Sequence, residues 1–272
     1  LTTVHARPFL KWAGGKGRLL SQYAPYLPQQ FATYYEPFCG GGAVFFHLAP
    51  HRAVLSDINP EIINVYICVR DAVEAVIALL QEHAAAHTRE YYYTVRDYDV
   101  AELSPVARAA RLIYLNRTCY NGLYRENAKG IFNVPMGAYT HPNICQKETL
   151  RSASDALQST QITHASFDHV LNSATSDDLV YFDPPYHPRN QTSNFTQYSR
   201  FAFQEAEQRH LQDVFGMLAK RGIRAMVSNS DTELIHEIYQ GYRIITVEAR
   251  RAINVQREGR GKINEVLVFN WH

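Results

Sequence analysis

The chain has 272 residues, 46% of them hydrophobic and 19% charged, with a formal net charge of +1. That length suits one α/β domain carrying a substantial insertion, and the near-neutral balance leaves any case for a polyanionic partner to local clusters of charge. No apolar run nears the roughly 20 residues that span a bilayer, so a membrane protein is excluded. Residues 1–7 lack the charged start, apolar centre and cleavage site of a secretory signal, and Leu1 in place of Met reads as a trimmed or partial start. A cytoplasmic protein is expected. The cysteines Cys39, Cys68, Cys119 and Cys145 form no C-x-x-C pair, and the i, i+4 histidines His83 and His87 sit in what reads as an exposed helix end. Reduced thiols and no metal are expected.

In chain order, the first segment of interest is Lys11-Trp12-Ala13-Gly14-Gly15-Lys16-Gly17. It fails as a phosphate loop, because Leu10 stands where the first Gly belongs and Gly17 where Ser or Thr belongs. Its aromatic, glycines and lysines suit a ligand with an aromatic base and a carboxylate, or equally an exposed loop. A β-rich run at 33–35 then leads into Glu36-Pro37-Phe38-Cys39-Gly40-Gly41-Gly42 and the apolar residues 43–48. Consecutive glycines at a strand-to-helix turn let backbone approach a ligand closely. After a second run at 53–55 comes Asp57, placed about fifteen to twenty residues past the glycines, where an acid can bind ribose hydroxyls. Together these describe a nucleoside-type cofactor site.

Between 58 and 165 the pattern changes to helix-like over 60–80, then Tyr91-Tyr92-Tyr93, then turn signals at Asn121-Gly122, Lys129-Gly130 and Met136-Gly137. This reads as an inserted, mostly helical module. Within it, residues 116–127, including Arg117, Tyr120, Asn121, Leu123 and Arg125, mix polar, aromatic and cationic side chains. Arg125 can fork onto guanine O6 and N7, and Asn or Tyr can fill the gap left by a flipped base. A surface loop satisfying its own backbone is the plain alternative.

The run at 179–182 ends in Asp183-Pro184-Pro185-Tyr186, at the end of a buried strand where open α/β sheets hold ligands. Two prolines fix φ and remove N–H donors, leaving carbonyls free to accept. A carboxylate beside such a carbonyl can take both hydrogens of an –NH2 group, and an aromatic two positions on can stack on a flipped base. A strand followed by a Pro-rich turn is the alternative. Residues 190–198 have the character of a lid or of an inert loop. A helix is expected over 204–220, with Leu211, Val214, Phe215 and Leu218 on one face and Gly222 after it. Runs at 223–227, 244–247 and 265–269 complete the sheet, and the basic stretch at 250–262, with Arg251, reads as a phosphate-gripping finger or a solvated hairpin.

Taken together, these motifs resemble the Dam-like adenine-N6 DNA methyltransferases. The resemblance runs through Phe9-Leu10-Lys11-Trp12-Ala13-Gly14-Gly15-Lys16, the 36–42 turn, Asp57-Ile58-Asn59, Tyr114-Leu115-Asn116-Arg117, Tyr120-Asn121-Gly122-Leu123, Phe132-Asn133-Val134-Pro135 and Asp183-Pro184-Pro185-Tyr186, in the family's order. It implies a Rossmann-like S-adenosylmethionine-dependent sheet, with residues 1–57 and 166–272 catalytic and 58–165 an inserted recognition domain. Trp12, Lys16, Glu36, Phe38, Gly40, Asp57 and Asp183 are implied to line the donor pocket. Lys11, Arg117, Tyr120, Asn121, Leu123, Arg125, Asn133 and Arg251 are implied to meet double-stranded DNA, within GATC for the family's nearest members. Asp183, Pro184 and Tyr186 are the implied catalytic residues, acting on a flipped adenine. Ala138 departs from the Arg found in relatives, and Tyr124 stands where a smaller residue can occur.

A cytosine-C5 enzyme needs a nucleophilic Cys, usually after Pro, and no cysteine here follows one. Cytosine-N4 transfer is disfavoured because Asp opens the tetrapeptide where Ser is expected. An RNA substrate and an inactive nucleic-acid-binding module are the remaining rivals. A monomer is expected, with a cognate restriction endonuclease as a candidate partner.

Overall fold

The computed structural model describes residues 6–12, 14–127, 129–188, 203–250 and 262–271. Seven strands form one sheet: β1 Tyr34–Glu36, β2 Ala53–Asp57, β3 Thr160–His164, β4 Leu179–Phe182, β5 Arg224–Ser230, β6 Arg243–Arg250 and β7 Lys262–Phe269. The helices are α1 Leu20–Tyr23, α2 Ala43–Leu48, α3 Pro60–Asp71, α4 Val73–Ala85, α5 Arg89–Arg96, α6 Pro105–Thr118, α7 Lys147–Leu157, α8 Val170–Ser173, α9 Glu205–Lys220 and α10 Glu233–Ile238. Among the described residues no helix is long and apolar enough to cross a membrane.

The strand order is β3-β2-β1-β4-β5-β7-β6, parallel from β3 through β5, with β7 antiparallel to both of its neighbours. This is a Rossmann-like sheet with one antiparallel strand. Chain order reverses at the centre, where β1 lies between β2 and β4, so the loops leaving β1 and β4 diverge and open a crevice. Those loops are the glycine turn and the Asp183 tetrapeptide.

Successive strand residues face opposite sides, and adjacent residues here divide between two cores. Tyr34, Leu55, Tyr181 and Met226 enter one, and Tyr35, Val54, Val180 and Val227 the other. Both faces are therefore covered. The second core receives Leu211, Val214, Phe215 and Leu218 of α9, as their spacing predicts. That helix opens with a Gln204–Glu207 capping box, and Gly222 follows its end at φ +70°.

The first core joins α2, α3, α4, α6 and α7 to the sheet, so the helices between β2 and β3 share their packing with the strands. The helix expected over 60–80 divides at Ala72, whose φ of −142° separates α3 from α4. Thr160–His164 lies inside the expected insert, yet it pairs with β2 from Ala53↔Thr160 to Asp57↔His164 as the edge strand. Its one strong apolar residue, Ile162, explains why the pattern hides it. His83 and His87 are half-buried, bonding the hydroxyls of Tyr91 and Tyr114 at 2.9 Å each.

Candidate active site

The acceptor centre is built where β4 ends. Asp183 Oδ1 meets Lys16 Nζ at 2.7 Å and accepts from Ser228 Oγ at 2.7 Å. The Lys16 side chain is 3% exposed and that of Asp183 21%. Lys16 also donates to the Gly14 carbonyl at 2.5 Å and lies 4.7 Å from the Tyr186 ring centroid, a cation–π distance. Tyr181 and Ser228 share a 2.9 Å hydroxyl contact, and Tyr186 OH donates to Glu265 Oε2 at 2.7 Å. Burial and the neighbouring Tyr23 and Asp183 hold the Tyr186 phenol well above its ordinary pKa, so it donates at neutral pH. Among the described residues, Asp183 Oδ2 and the Pro184 carbonyl accept no hydrogen bond. The arrangement thus fixes a carboxylate, a ring and a lysine, and leaves one acceptor on each of two consecutive residues without a bond among the described residues.

Across the crevice, the glycine turn is tied to β2. Cys39 N donates to the Ser56 carbonyl at 3.0 Å and Gly40 N to Asp57 Oδ2 at 3.2 Å, while Asp57 Oδ1 accepts from Asn59 N at 2.9 Å. Burial pushes the Asp57 carboxyl up to about 6 against the lowering effect of these N–H groups. Cys39 Sγ adds a third contact, at 4.0 Å from Oδ2, and these three bonds leave an acceptor site on the carboxylate for a ligand's hydroxyl. Gly40 has φ +41°, and a Cβ there would lie 2.5 Å from Trp12 Nε1. The turn is therefore shaped for the indole lying over it. Trp12 in turn stacks on Tyr124 at 5.6 Å, which connects this pocket to the insert. Phe38 packs among Phe167, Phe182 and Phe203, with centroids 5.4 to 6.5 Å away.

Glu36 lies buried beneath the glycine turn. It is 3% exposed, and its Oε2 accepts from Tyr34 OH at 2.8 Å and from Phe45 N, in the first turn of α2, at 3.1 Å. Glu36 braces the turn from beneath, and burial pushes its carboxyl up to about 8.

In the insert, residues 119–136 fold back on themselves through bridges Cys119↔Met136 and Glu126↔Phe132. Tyr120 stands 45% exposed at its base, beside Asn121 at φ 55°. Arg125 is exposed, with Nε donating to Asn133 Oδ1 at 2.7 Å, so two expected reading residues orient each other. Lys11 is held by a reciprocal pair with buried Asn116, at 2.8 and 2.7 Å, and its Nζ lies 4.2 Å from the Tyr139 ring centroid. Gly122 allows this, since a Cβ there would lie 2.5 Å from Lys11 Cδ. Leu123 is half-buried, and its carbonyl accepts from Cys119 Sγ at 3.2 Å.

Arg117 differs from a surface cation. It donates to the Phe9 carbonyl at 2.5 Å and to Gln146 Oε1 at 2.8 Å, and burial with nearby Arg7 lowers its pKa to about 10. Its guanidinium ties the first segment to the insert. Arg251 and residues 190–198 lie outside the described residues. Ser228, Glu265 and Phe167 were not foreseeable near the crevice. The first two lie on distant strands, and Phe167 shows no motif until the fold brings it against Phe38. Among the described residues no cluster of metal-ligating side chains forms.

A family model described as D12 class N6 adenine-specific DNA methyltransferase matches residues 12–253. The chain is 41% identical over 274 residues to a Type II methyltransferase of Lactococcus lactis subsp. cremoris, covering 98% of this chain and 96% of that one. It is 38% identical to a Type II methyltransferase of Methanocaldococcus jannaschii, covering 98% and 100%. With the DNA adenine methylase of Escherichia coli the identity is 36%, covering 97% and 95%.

Proposed function

We propose that this chain, which belongs to the D12 class N6 adenine-specific DNA methyltransferases, methylates adenine within GATC in double-stranded DNA after rotating that base out of the duplex. Membership carries the enzyme class, the DNA substrate and the donor S-adenosylmethionine. The observation that supports the finer reading is the pair of open acceptors, Asp183 Oδ2 and the Pro184 carbonyl, beside a Tyr186 ring pinned at its hydroxyl.

The residues fit the donor. Gly40, lacking a Cβ, lets the Trp12 indole lie on the glycine turn as one wall of a cradle, Asp57 keeps an acceptor site for a ribose hydroxyl, and half-buried Phe38 offers a ring to an aromatic base. Glu36 supports this cradle from below. When bound, S-adenosylmethionine supplies an electrophilic methyl group on a sulfonium.

The chain's own groups then act on the amine. An exocyclic amine is a poor nucleophile because its lone pair is delocalised into the ring. Asp183 Oδ2 and the Pro184 carbonyl accept its two hydrogens and favour the pyramidal nitrogen, which is transition-state stabilisation by preset acceptors. Asp183 need not be a strong base, since the N6 cation formed sheds its proton readily. Tyr186 stacks on the rotated ring, and this geometry requires a base outside the helix.

Recognition falls to residues 58–165 short of β3, with Tyr120, Asn121, Leu123 and the Arg125–Asn133 pair, together with Lys11, facing the duplex. Arg117 holds these elements in register, and Arg251 grips phosphate. We place the enzyme in the cytoplasm as a monomer that needs no metal. A cognate restriction endonuclease is a candidate partner, as relatives are named both Type II methyltransferases and DNA adenine methylases.

The test is transfer of labelled methyl from S-adenosylmethionine to duplexes with and without GATC, followed by digestion to nucleosides. Label in N6-methyladenine only with GATC is expected. Label at other sequences removes the specificity, and turnover retained by Asp183→Ala shows that the acceptor is misplaced.

A further inference from the structure

Gln208 is a polar side chain with 0% exposure, in the first turns of α9 and far in sequence from the tetrapeptide. Its Nε2 donates to the Pro185 carbonyl at 2.9 Å, and its Oε1 accepts from Asn229 Nδ2 at 2.9 Å. Asn229, also 0% exposed, accepts at Oδ1 from His187 N at 3.1 Å and from Ser230 N at 2.8 Å. Ser230 Oγ donates to the His187 carbonyl at 2.6 Å. Every polar end of this buried pair is thus used, and two of its bonds go to loop backbone on either side of Tyr186.

We propose that Gln208 and Asn229 are positioning residues for methyl transfer, a clamp that sets the backbone planes flanking Tyr186 and so aims the Pro184 carbonyl and the Tyr186 ring at the target amine. This rests on the reading of residues 183–186 as the amine-accepting loop. The argument is one of degrees of freedom. A Pro-Pro pair lacks N–H groups, so the loop cannot be held by its own donors, and only its carbonyls and later residues offer handles. Ser228 holds the first residue, Gln208 the third, Glu265 the fourth and Asn229 the residue that follows. Among the described residues the Pro184 carbonyl accepts no bond, and it is bracketed by fixed neighbours. Pro185 has only the Gln208 bond for its carbonyl among the described residues. Losing it frees rotation of the peptide plane that joins Pro185 to Tyr186.

A clamp of this kind touches neither donor nor DNA, so it should act on turnover and spare binding. Gln208→Met keeps the side-chain length and removes both bonds. Asn229→Asp keeps the acceptor for His187 and draws the Gln208 amide away from Pro185. For each folded variant, kcat is expected to fall by on the order of 10- to 100-fold. KM for a GATC duplex and the calorimetric affinity for S-adenosylhomocysteine should stay within about threefold of wild type.

Turnover per folded molecule equal to wild type overturns the proposal. So does a loss of S-adenosylhomocysteine affinity that parallels the loss of turnover, which would make the pair part of the donor pocket. If Gln208→Met does not fold, Asn229→Asp is read on the same terms, and failure of both to fold assigns the pair to the fold alone and refutes the clamp. Asp183→Ala separates the two levels. If that variant turns over, the loop reading itself is wrong, whereas an inactive Asp183→Ala beside a fully active Gln208→Met rejects only the clamp.

Discussion

Glu36→Gln should make the folded protein less sensitive to alkaline pH. Burial holds the Glu36 carboxyl at about 8 in the folded chain, against 4.5 for an ordinary glutamate. Between those values the folded state keeps a proton that the unfolded state has released, so unfolding free energy falls as pH rises. The contribution of this group is fully present below 4.5, declines through the window and levels off above about 8. The slope is at most about 1.4 kcal/mol per pH unit, and the accumulated loss is of the order of a few kcal/mol. Glutamine remains neutral throughout, and its carbonyl can still accept from Tyr34 OH and Phe45 N, the two bonds that Glu36 Oε2 takes. Urea denaturation of both proteins at about pH 5 and about pH 8 isolates the effect, because the two chains differ at this one side chain. The stability difference, variant minus wild type, should grow toward alkaline pH. Parallel pH dependences would refute the reasoning, since they would mean that Glu36 ionises in the folded chain as easily as in the unfolded one.

Gly40→Ala should weaken S-adenosylhomocysteine binding by an order of magnitude or more, because its Cβ would sit 2.5 Å from Trp12 Nε1 in a backbone already at φ +41°. The left-handed conformation alone costs roughly 1–2 kcal/mol, and calorimetry showing unchanged affinity would reject the cradle. Arg125→Ala should reduce discrimination among bases in the target site by about 1–3 kcal/mol. Kinetics on duplexes changed one base pair at a time measure this. Asn133→Ala should move the same position by less, because it removes only the partner that orients the guanidinium.

Much of the centre was legible because its residues are local in sequence. Neither the glycine turn at 36–42 nor the double proline at 183–186 decides the matter alone, but the two stand out as motifs in the order that the family shares. The helix α9 was equally plain, since its apolar stripe has one period and its ends carry a capping box and Gly222. Strand β3 was hidden because an edge strand has little apolar face to show, and its burial pattern is mostly half-exposed. The inward bonds of Arg117 and Glu36 were hidden for a related reason. A charged residue in a motif looks available to a ligand, and its bonds to the interior, with Phe9 and Gln146 for Arg117 and with Tyr34 and Phe45 for Glu36, appear only in the folded chain.

The family was therefore legible in the sequence, through the tetrapeptide at 183–186, the glycine turn and the acid after β2, because these motifs stand in the family's order. Geometry was decided only by tertiary structure. Reversal of strand order between β2 and β4 sets the two loops face to face, and β5 delivers Ser228 and Asn229 to hold one of them. Trp12 meets Tyr124 across the gap between the first segment and the insert. Such contacts join residues dozens of positions apart, and no local period encodes which of them will meet.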